Sequence, residues 1–359
     1  MSRLISVRIP ATSANLGPGF DSMGLALDLW NTFELHTTED EPGRKKPVVQ
    51  VRGEGADTLP KDASHLVMQT MLEELERIKG ERQALALRSL IQNPKSKIQN
   101  PELSVRIVCH NRVPCASGLG SSSTAVLAGL IFAYALAEQA RHASFLEKAG
   151  LIDRVLHRAA QIEGHGDNVG PALLGGLIVV SSQGDSVIAQ RIPMPAMRVV
   201  VCVPSVSLLT REARAMLPTQ LSRADAVFNI GRALLIVDAL RTGSAELLRQ
   251  AMGDRIHEPY RLPVIPGALD ARRRALEQGA VAVSLSGAGP GLLVFASNHH
   301  ERIGQAMLAA FAEAGLTARY WVVDTTDQGA QIEMGDSVAL AVSTSIRSAQ
   351  RKNTKRKRC

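Results

Sequence analysis

A glycine- and serine-rich stretch constrains this chain more than any other feature of its sequence. Its residues are Pro114, Cys115, Ala116, Ser117, Gly118, Leu119, Gly120, Ser121, Ser122, Ser123 and Thr124. Before it, apolar and polar residues alternate over 103–109, which predicts a half-buried strand. After it, residues 125–137 are apolar and rich in alanine and leucine, which predicts a buried helix. The order predicted is therefore strand, glycine-rich turn and a helix that begins in the serine cluster.

Such a turn is suited to binding phosphate. Gly118 and Gly120 let backbone amides approach a ligand without a side chain in the way. The first turn of a helix has unpaired amides and the positive end of the helix dipole, so anions bind there. The stretch is not a P-loop, because no lysine follows Gly120. An ordinary capped helix after a turn is the alternative that this stretch alone leaves open.

The overall charge comes from the end of the chain. The sequence has 359 residues, 45% of them hydrophobic and 3% aromatic, which is enough for two domains with aliphatic cores. The formal net charge is +7, yet no acidic residue follows Asp336 while seven basic residues do. Residues 336–359 are expected to be a basic, solvated tail, and contact with nucleic acid or an acidic surface is the alternative. Few aromatic residues accompany the other basic residues, so no nucleic-acid partner is expected.

Cysteines and hydropathy indicate the compartment. Cys109, Cys115, Cys202 and Cys359 form no close pair, so neither metal-ligand spacing nor a disulfide framework is present. The N-terminus lacks a signal-peptide pattern. The longest apolar run, 125–137, is shorter than the roughly 18 residues of a membrane span. We therefore expect a soluble, cytoplasmic protein without a membrane partner.

Two further stretches carry polar groups on predicted loops. Residues 10–21 form a turn between two predicted strands and contain Asn15 and Asp21. Residues 163–171 follow a predicted helix as a loop and present four functional groups, namely Glu163, His165, Asp167 and Asn168. Loops of this kind often bind ligands, although Asn, Asp and Gly also favour ordinary turns.

The second half repeats strand and helix. The composition changes over 183–197, which predicts two domains, 1–182 and 183–335, before the tail. A helix is predicted from Ser222, its N-cap, to Gly243, its end. A tight loop containing Gly287 and Gly289 separates two predicted strands. The alternation of strands and helices is typical of an α/β pattern.

Two arginines are candidates for binding a substrate carboxylate. Arg214 and Arg261 are planar, bidentate donors suited to a carboxylate, although each could equally form a surface ion pair. Together with a phosphate-binding turn and hydroxyls for Mg²⁺, they indicate phosphoryl transfer to a small alcohol that bears an acid group.

Three stretches in order, 10–21, 114–124 and 285–290, resemble the three motifs of the GHMP small-molecule kinases. Within that superfamily, 13–21, 164–172 and 258–261 resemble the homoserine kinases, and the resemblance covers about residues 5–325. It implies an α+β two-layer GHMP kinase fold. The N-terminal domain would be like domain 2 of ribosomal protein S5 and the C-terminal domain ferredoxin-like, with ATP and substrate in the cleft between them. The implied activity is ATP-dependent phosphorylation of the side-chain hydroxyl of L-homoserine in threonine biosynthesis, and we expect a homodimer.

The resemblance also implies residue roles. Asn15 and Asp21 would bind the hydroxyl and amino ends of homoserine, and Arg214 and Arg261 its carboxylate. His165 and Asn168 would line the acceptor pocket and form the catalytic set with Asn15 and Asp21. The ATP site would comprise residues 114–124 with Gly287 and Gly289. Mg²⁺ would lie near Ser121 and Ser122.

Two departures from the family affect these roles. The archaeal enzymes place a Mg²⁺-binding glutamate eight residues before the motif histidine, where this chain has His157. Glu163 is therefore the predicted substitute. Asn168 stands where mevalonate kinase has its base, and Asp167 is adjacent, so we expect catalysis by positioning and charge neutralisation without a dedicated base.

Three other functions remain open from the sequence. The chain could be a GHMP-type kinase for a different small alcohol. It could be a catalytically inactive relative that still binds nucleotide, although its phosphate-binding stretch is intact. It could also be a nucleic-acid-binding protein that uses the tail.

Overall fold

The computed structural model describes residues 3–39, 48–79, 103–138, 142–148, 150–184 and 186–335. The predicted surface segments at 40–47 and 80–102 and the predicted basic tail 336–359 lie outside this part. No helix within the described ranges is long and apolar enough to cross a membrane.

The first sheet has seven strands in the described part of the chain. They are β1 (Arg3–Ala14), β2 (Met23–Glu39), β3 (Val49–Gly53), β4 (Leu103–Asn111), β5 (Leu177–Gln183), β6 (Ser186–Ile192) and β11 (Gln331–Gly335). The main order is β11-β1-β2-β4-β3, while β5 pairs with the start of β2 and β6 pairs with β5. All pairs are antiparallel except β3 with β4.

The second sheet has the order β10-β7-β9-β8. Its strands are β7 (Arg198–Pro204), β8 (Ala282–Leu285), β9 (Leu292–Phe295) and β10 (Ala318–Asp324). Every pair is antiparallel. The α/β pattern predicted from alternation is therefore wrong, because parallel sheets characterise that class. The α+β two-layer fold implied by the resemblance is confirmed.

Helices are distributed over both halves. The first half has α1 (Leu66–Lys79), α2 (Ser121–Ala137), α3 (Leu151–Glu163) and α4 (Val169–Leu174), with a 3-10 turn at Ala143–Glu147. The second half has α5 (Thr210–Ala215), α6 (Arg223–Thr242), α7 (Ala245–Ala251), α8 (Glu258–Arg261), a 3-10 turn at Leu262–Val264, α9 (Ala268–Glu277) and α10 (His300–Glu313).

Local signals account for several of these helices. α2 is buried along most of its length, as its apolar sequence predicts. α6 begins after Ser222, whose hydroxyl accepts a hydrogen bond from the Asp225 amide, and ends at Gly243 in the left-handed region. The predicted loop at 163–171 is shorter than expected, because α4 begins at Val169. Pro171 is compatible with this helix because it lies in the first turn, where an amide would have no intrahelical partner.

One apolar core is shared by the two sheets. Residues of β1 and β2, among them Leu25 and Leu27, pack in one cluster with Val199 and Val201 of β7 and with Phe295 of β9. The other face of β7 contributes to a separate core with α9 and α10. The second sheet is thus buried on both faces, with side chains that alternate between two cores.

The sheet topology does not follow the predicted domain boundary after residue 182. β6 pairs with β5 and β11 pairs with β1, so both belong to the first sheet although they lie in the predicted second domain. We propose that the N-terminal unit includes 186–192 and 331–335, and that the second unit spans 193–330.

A glycine in β2 allows the loop before α4 to pack directly against the strand. A Cβ added at Gly24 would overlap the backbone oxygen of Asp167. We expect Gly24→Ala to lower the free energy of unfolding by about 1–3 kcal/mol, because the loop must move. The measurement is chemical denaturation. Gly166→Ala is the matched control, since its Cβ would lie 3.5 Å from the nearest atom, an ordinary contact. Equal losses in the two variants would contradict this account.

Candidate active site

The predicted strand, turn and helix occur as expected. β4 ends at Asn111 and α2 begins at Ser121, directly after Gly120. Gly120 has φ 68° and Gly118 has φ 79°, both in the left-handed region. No side chain caps the start of α2. The amides of its first turn are therefore available to an anion.

The two glycines of this turn have a role that the sequence did not reveal. A Cβ at Gly118 would overlap the backbone oxygen of Ser286, and one at Gly120 would overlap the Thr12 hydroxyl. Their small size therefore lets the turn pack on the loop at Ser286 and on strand β1, in addition to leaving room for a ligand. This contact joins the turn before α2 to the loop between β8 and β9.

Asn15 links the first and third motifs. Its amide nitrogen donates to the Gly287 carbonyl at 2.6 Å, and its amide oxygen accepts from the Asp21 backbone amide at 2.9 Å. Its backbone has φ 71°, a left-handed conformation that asparagine tolerates better than most residues. Both polar ends of the side chain are engaged within the protein. Asn15 thus holds two loops together at the cleft.

The loop before α4 is connected by a chain of hydrogen bonds. His165 Nδ1 lies 2.7 Å from Asp167 Oδ1, which also accepts from the Asn168 amide at 2.9 Å. The Asn168 side-chain oxygen accepts from the Thr12 hydroxyl at 2.8 Å. Burial lowers the pKa of His165, but the hydrogen bond and charge of Asp167, with the charge of Glu163, outweigh it and leave the pKa raised. The arrangement favours a protonated His165.

Glu163 lies at the start of α2. Its Oε2 accepts hydrogen bonds from the hydroxyls of Ser122 and Ser123, both at 2.9 Å. Ser121 is placed differently, with its hydroxyl 4.0 Å from Cys115 Sγ. One carboxylate with two hydroxyls is a set of hard oxygen donors, which suits Mg²⁺. No group of three His, Cys, Asp or Glu side chains able to hold a metal occurs in the described ranges, so a Mg²⁺ ion here would also need oxygen ligands from phosphate or water.

Two guanidinium groups lie over one aromatic ring. Arg214 makes a bidentate ion pair with Asp21, at 2.9 and 2.8 Å, and its carbon Cζ lies 5.7 Å from the centre of the Phe20 ring. Arg261 lies 5.3 Å from the same ring centre and is 2% exposed. Its Nε donates to the Ala213 carbonyl, and within the described part of the chain it has no carboxylate at salt-bridge distance.

The electrostatics of this pair favour an anion. Burial, and then the charge of Arg214, lower the pKa of Arg261 to about 10. The hydrogen bond to Asp21 raises the pKa of Arg214. Two positive charges thus share one carboxylate, and Arg261 is desolvated. A ligand carboxylate would supply the missing negative charge.

The loop that carries Asp21 is supported from the second half of the chain. His257 is fully buried, its Nε2 lies 2.8 Å from the Gly17 carbonyl oxygen, and its ring stacks on Phe20. Asn229 of α6 donates to the Pro18 carbonyl and to Asp254. Sequence reasoning missed these supporting residues because only the fold brings them next to 17–20.

Most of the predicted site residues line one cleft, which has a volume of about 260 Å³. All of the predicted site residues line it except Pro114, Cys115 and Thr124. Thr124 points away, because its hydroxyl accepts from Asn31 within the core. Pro114 and Cys115 line a neighbouring cavity of about 470 Å³, together with Glu54, Gly55 and Arg319. Leu208, Leu209 and Thr210 also line the cleft, and no motif signalled them.

Comparison with known proteins decides the family. Residues 84–176 match the family model of the GHMP kinases N terminal domain, and residues 236–313 match GHMP kinases C terminal. The homoserine kinase of Moorella thermoacetica is 35% identical over 86% of this chain and 93% of its own length. That of Nostoc punctiforme is 38% identical over 91% of this chain and 97% of its own length. The chain belongs to the homoserine kinase family.

Solved structures agree with this assignment. The crystal structure of homoserine kinase from Cytophaga hutchinsonii matches with a TM-score of 0.72 and 29% identity, over 92% of this chain and 97% of that one. L. major mevalonate kinase, solved with R-mevalonate, matches with a TM-score of 0.56 and 17% identity, over 89% of this chain and 94% of that one, which shows the shared fold. The GHMP kinase fold is therefore confirmed for this member of the homoserine kinase family, and ATP is the phosphate donor expected of it.

The contact of His165 with Asp167 predicts a pH-dependent stability. Because folding raises the pKa of His165 above its ordinary 6.5, the stabilisation is fully present below pH 6.5 and is lost as the pH rises through the folded-state pKa. We therefore expect the free energy of unfolding of the native protein to exceed that of His165→Gln by more at low pH than at high pH. Denaturation across this range measures the difference. In an Asp167→Asn background, burial, which lowers the pKa of His165, is opposed only by the charge of Glu163, so the low-pH gain should disappear or reverse. A difference that still grows towards low pH in that background would contradict the assignment.

Proposed function

We propose that this chain transfers the γ-phosphoryl group of ATP to the side-chain hydroxyl of L-homoserine, producing ADP and O-phospho-L-homoserine for threonine biosynthesis. The observation that carries the proposal is one cleft that contains both the uncapped start of α2 and the Arg214–Asp21–Arg261 group. The first suits a polyphosphate, and the second suits a free amino acid. The relatives named homoserine kinase cover nearly the whole chain.

A zwitterion fits the charged end of the cleft. Arg214 and Asp21 neutralise each other in the structure. A free amino acid can replace both partners at once, because its ammonium group pairs with Asp21 while its carboxylate pairs with Arg214 and Arg261. A substrate without the ammonium group or the carboxylate would leave one charge unpaired. The exchange of ion pairs therefore favours an amino acid over a neutral alcohol.

The nucleotide is proposed to lie along the glycine-rich turn. Backbone amides at 116–123 would bind the phosphates, with Gly287 and Gly289 closing the opposite side. The neighbouring cavity beside Cys115 would accept the nucleoside, because Ala116 of the same turn lines both this cavity and the cleft. The hydroxyl of homoserine would then point towards the γ-phosphate from the arginine side.

The oxygen donors at the start of α2 fit Mg²⁺. Glu163, Ser122 and Ser123 are the residues that would hold the ion, which would neutralise charge on the phosphates during transfer. Glu163 also positions the two serine hydroxyls.

Glu163→Gln tests this metal assignment. We expect the Mg²⁺ concentration for half-maximal activity to rise about tenfold or more, because the carboxylate charge is lost while the shape is kept. Steady-state rates over a Mg²⁺ titration give this value. Glu147→Gln, at an exposed position in the same half of the chain, is the matched control and should leave the requirement unchanged. An unchanged requirement in Glu163→Gln would assign the ion to other ligands.

We further propose that catalysis depends on positioning and charge neutralisation, without a dedicated protein base. Asp167 already accepts hydrogen bonds from its own loop at Oδ1. Asn168 and His165 line the cleft and can donate to the acceptor end of the substrate.

Replacement of Asp167 by asparagine distinguishes catalysis by positioning from catalysis in which Asp167 acts as a general base. Removal of a general base costs about 100- to 10,000-fold in rate. We expect Asp167→Asn to reduce kcat by less than about 100-fold, and Asn168→Ala to raise KM for homoserine. Initial rates at varied homoserine separate kcat from KM. Nearly complete loss of kcat in Asp167→Asn, with homoserine binding intact, would identify Asp167 as a base.

The decisive experiment is a coupled ADP-release assay with L-homoserine, mevalonate and shikimate. ADP release with homoserine alone supports the proposal, whereas preference for another alcohol indicates a different GHMP-type kinase. Nucleotide binding without turnover of any of the three indicates an inactive relative. Deletion of 347–359 should leave the rate unchanged, and loss of the main activity on deletion would favour a nucleic-acid-binding role for the tail.

We also propose that the protein acts as a homodimer in the cytoplasm. ATP and free amino acids are cytoplasmic metabolites, which supports the compartment.

A further inference from the structure

Helix α6 has two opposite faces of different character. One face is buried and contains Asn229, Ile236, Ala239 and Leu240. On the other face, Val227, Ile230 and Leu234 are 63%, 62% and 68% exposed. At about 100° per residue, these three side chains lie within one narrow arc of the helix, which also includes Arg223, Gly231 and Asp238. Large aliphatic side chains exposed as one continuous stripe indicate an interaction surface.

The stripe is complementary to itself. When two copies of one helix pack antiparallel across a two-fold axis, residues equally distant from the axis face each other. With the axis between positions 230 and 231, Val227 faces the partner's Leu234, and Ile230 faces the partner's Gly231. The same register places Arg223 opposite the partner's Asp238. Apolar residues therefore meet apolar residues at the centre, and opposite charges meet at both ends.

Gly231 has no evident role within the protomer. A Cβ added there would meet nothing within 4 Å, and its φ is not in the left-handed region. Glycine inside a helix is destabilising relative to alanine. A glycine at the crossing point allows close approach of a second helix and provides space for the partner's Ile230.

The charges at the ends of the stripe also favour an antiparallel partner. Arg223 is the first residue of α6, where a positive charge is opposed by the helix dipole. Within the described ranges, no hydrogen bond or ion pair is found for its guanidinium. Asp238 pairs with Arg241 at the surface, and half of its side chain remains exposed. An antiparallel partner would bring Arg223 close to the negative end of the partner helix and to the partner's Asp238.

We propose that α6 packs antiparallel against α6 of a second copy of this chain, across a two-fold axis between positions 230 and 231. The buried face of the same helix holds the loop that carries Asp21, through Asn229 and the Pro18 carbonyl. The dimer contact would therefore lie on the side of α6 that faces away from the cleft, and the cleft would stay open to solvent. This proposal is independent of the proposed reaction, because it is tested by mass rather than by turnover.

The test is the mass of the full chain in solution at micromolar concentration, by light scattering after size exclusion and by analytical ultracentrifugation. We expect a dimer for the native protein. Ile230→Glu and Leu234→Glu should each weaken dimerisation by about 100-fold or more, because each change buries two carboxylates in one interface. Ile188→Glu is the matched control: Ile188 is 69% exposed on β6, away from the stripe, and its variant should remain dimeric.

Charge reversal tests the antiparallel register. Asp238→Arg should dissociate the dimer, since it places two arginines opposite each other, and Arg223→Asp combined with Asp238→Arg should restore it. Circular dichroism shows that each variant is folded, and the exposure of these residues makes loss of folding unexpected. A monomeric native protein, a dimer that survives Ile230→Glu and Leu234→Glu, or a double reversal that fails to restore a dimer lost in Asp238→Arg would each overturn the proposal.

Discussion

The close contact of the turn at Gly118 with the loop after β8 is the constraint on which the site depends. The backbone at Gly118 lies against Ser286, the Ser286 hydroxyl donates to the Gly118 carbonyl, and Asn15 bonds to Gly287. Three loops that are distant in sequence thereby meet at one point. The apolar core that the two sheets share packs against these loops and holds them in place. Without this contact, the glycine-rich turn and the arginines would not face one cleft.

Electrostatic balance determines what the cleft can accept. Phe20 provides an aromatic face for both guanidinium groups, which reduces the cost of placing two like charges near each other. Asp21 neutralises Arg214, and Arg261 remains desolvated without a carboxylate of its own in the described structure. His165, whose pKa is raised, adds a further hydrogen-bond donor to the lining of the cleft. The protein thus has an excess of positive charge where a carboxylate and phosphates would meet.

Local signals predicted the parts of the structure that depend on neighbouring residues. The strand, turn and helix around Gly118, and the cap and stop of α6 at Ser222 and Gly243, follow from short-range physics and occur as predicted. The α/β pattern predicted from alternation was wrong, because alternation of elements does not determine whether strands pair parallel or antiparallel. The support of the Phe20 loop by His257 could not be predicted, because these residues are more than 200 positions apart and only the fold joins them.

The common core of the two sheets limits how the protein can move. Leu25 and Leu27 of one sheet and Val201 and Phe295 of the other are fully buried in the same cluster. A hinge motion that separated the halves would expose these side chains to water, at a cost of about 25 cal/mol for each Å² of apolar surface. We therefore expect ligand entry to depend on small movements at the rim, such as release of Arg214 from Asp21. Such a site would admit its ligands by exchanging ionic partners while its scaffold stays rigid.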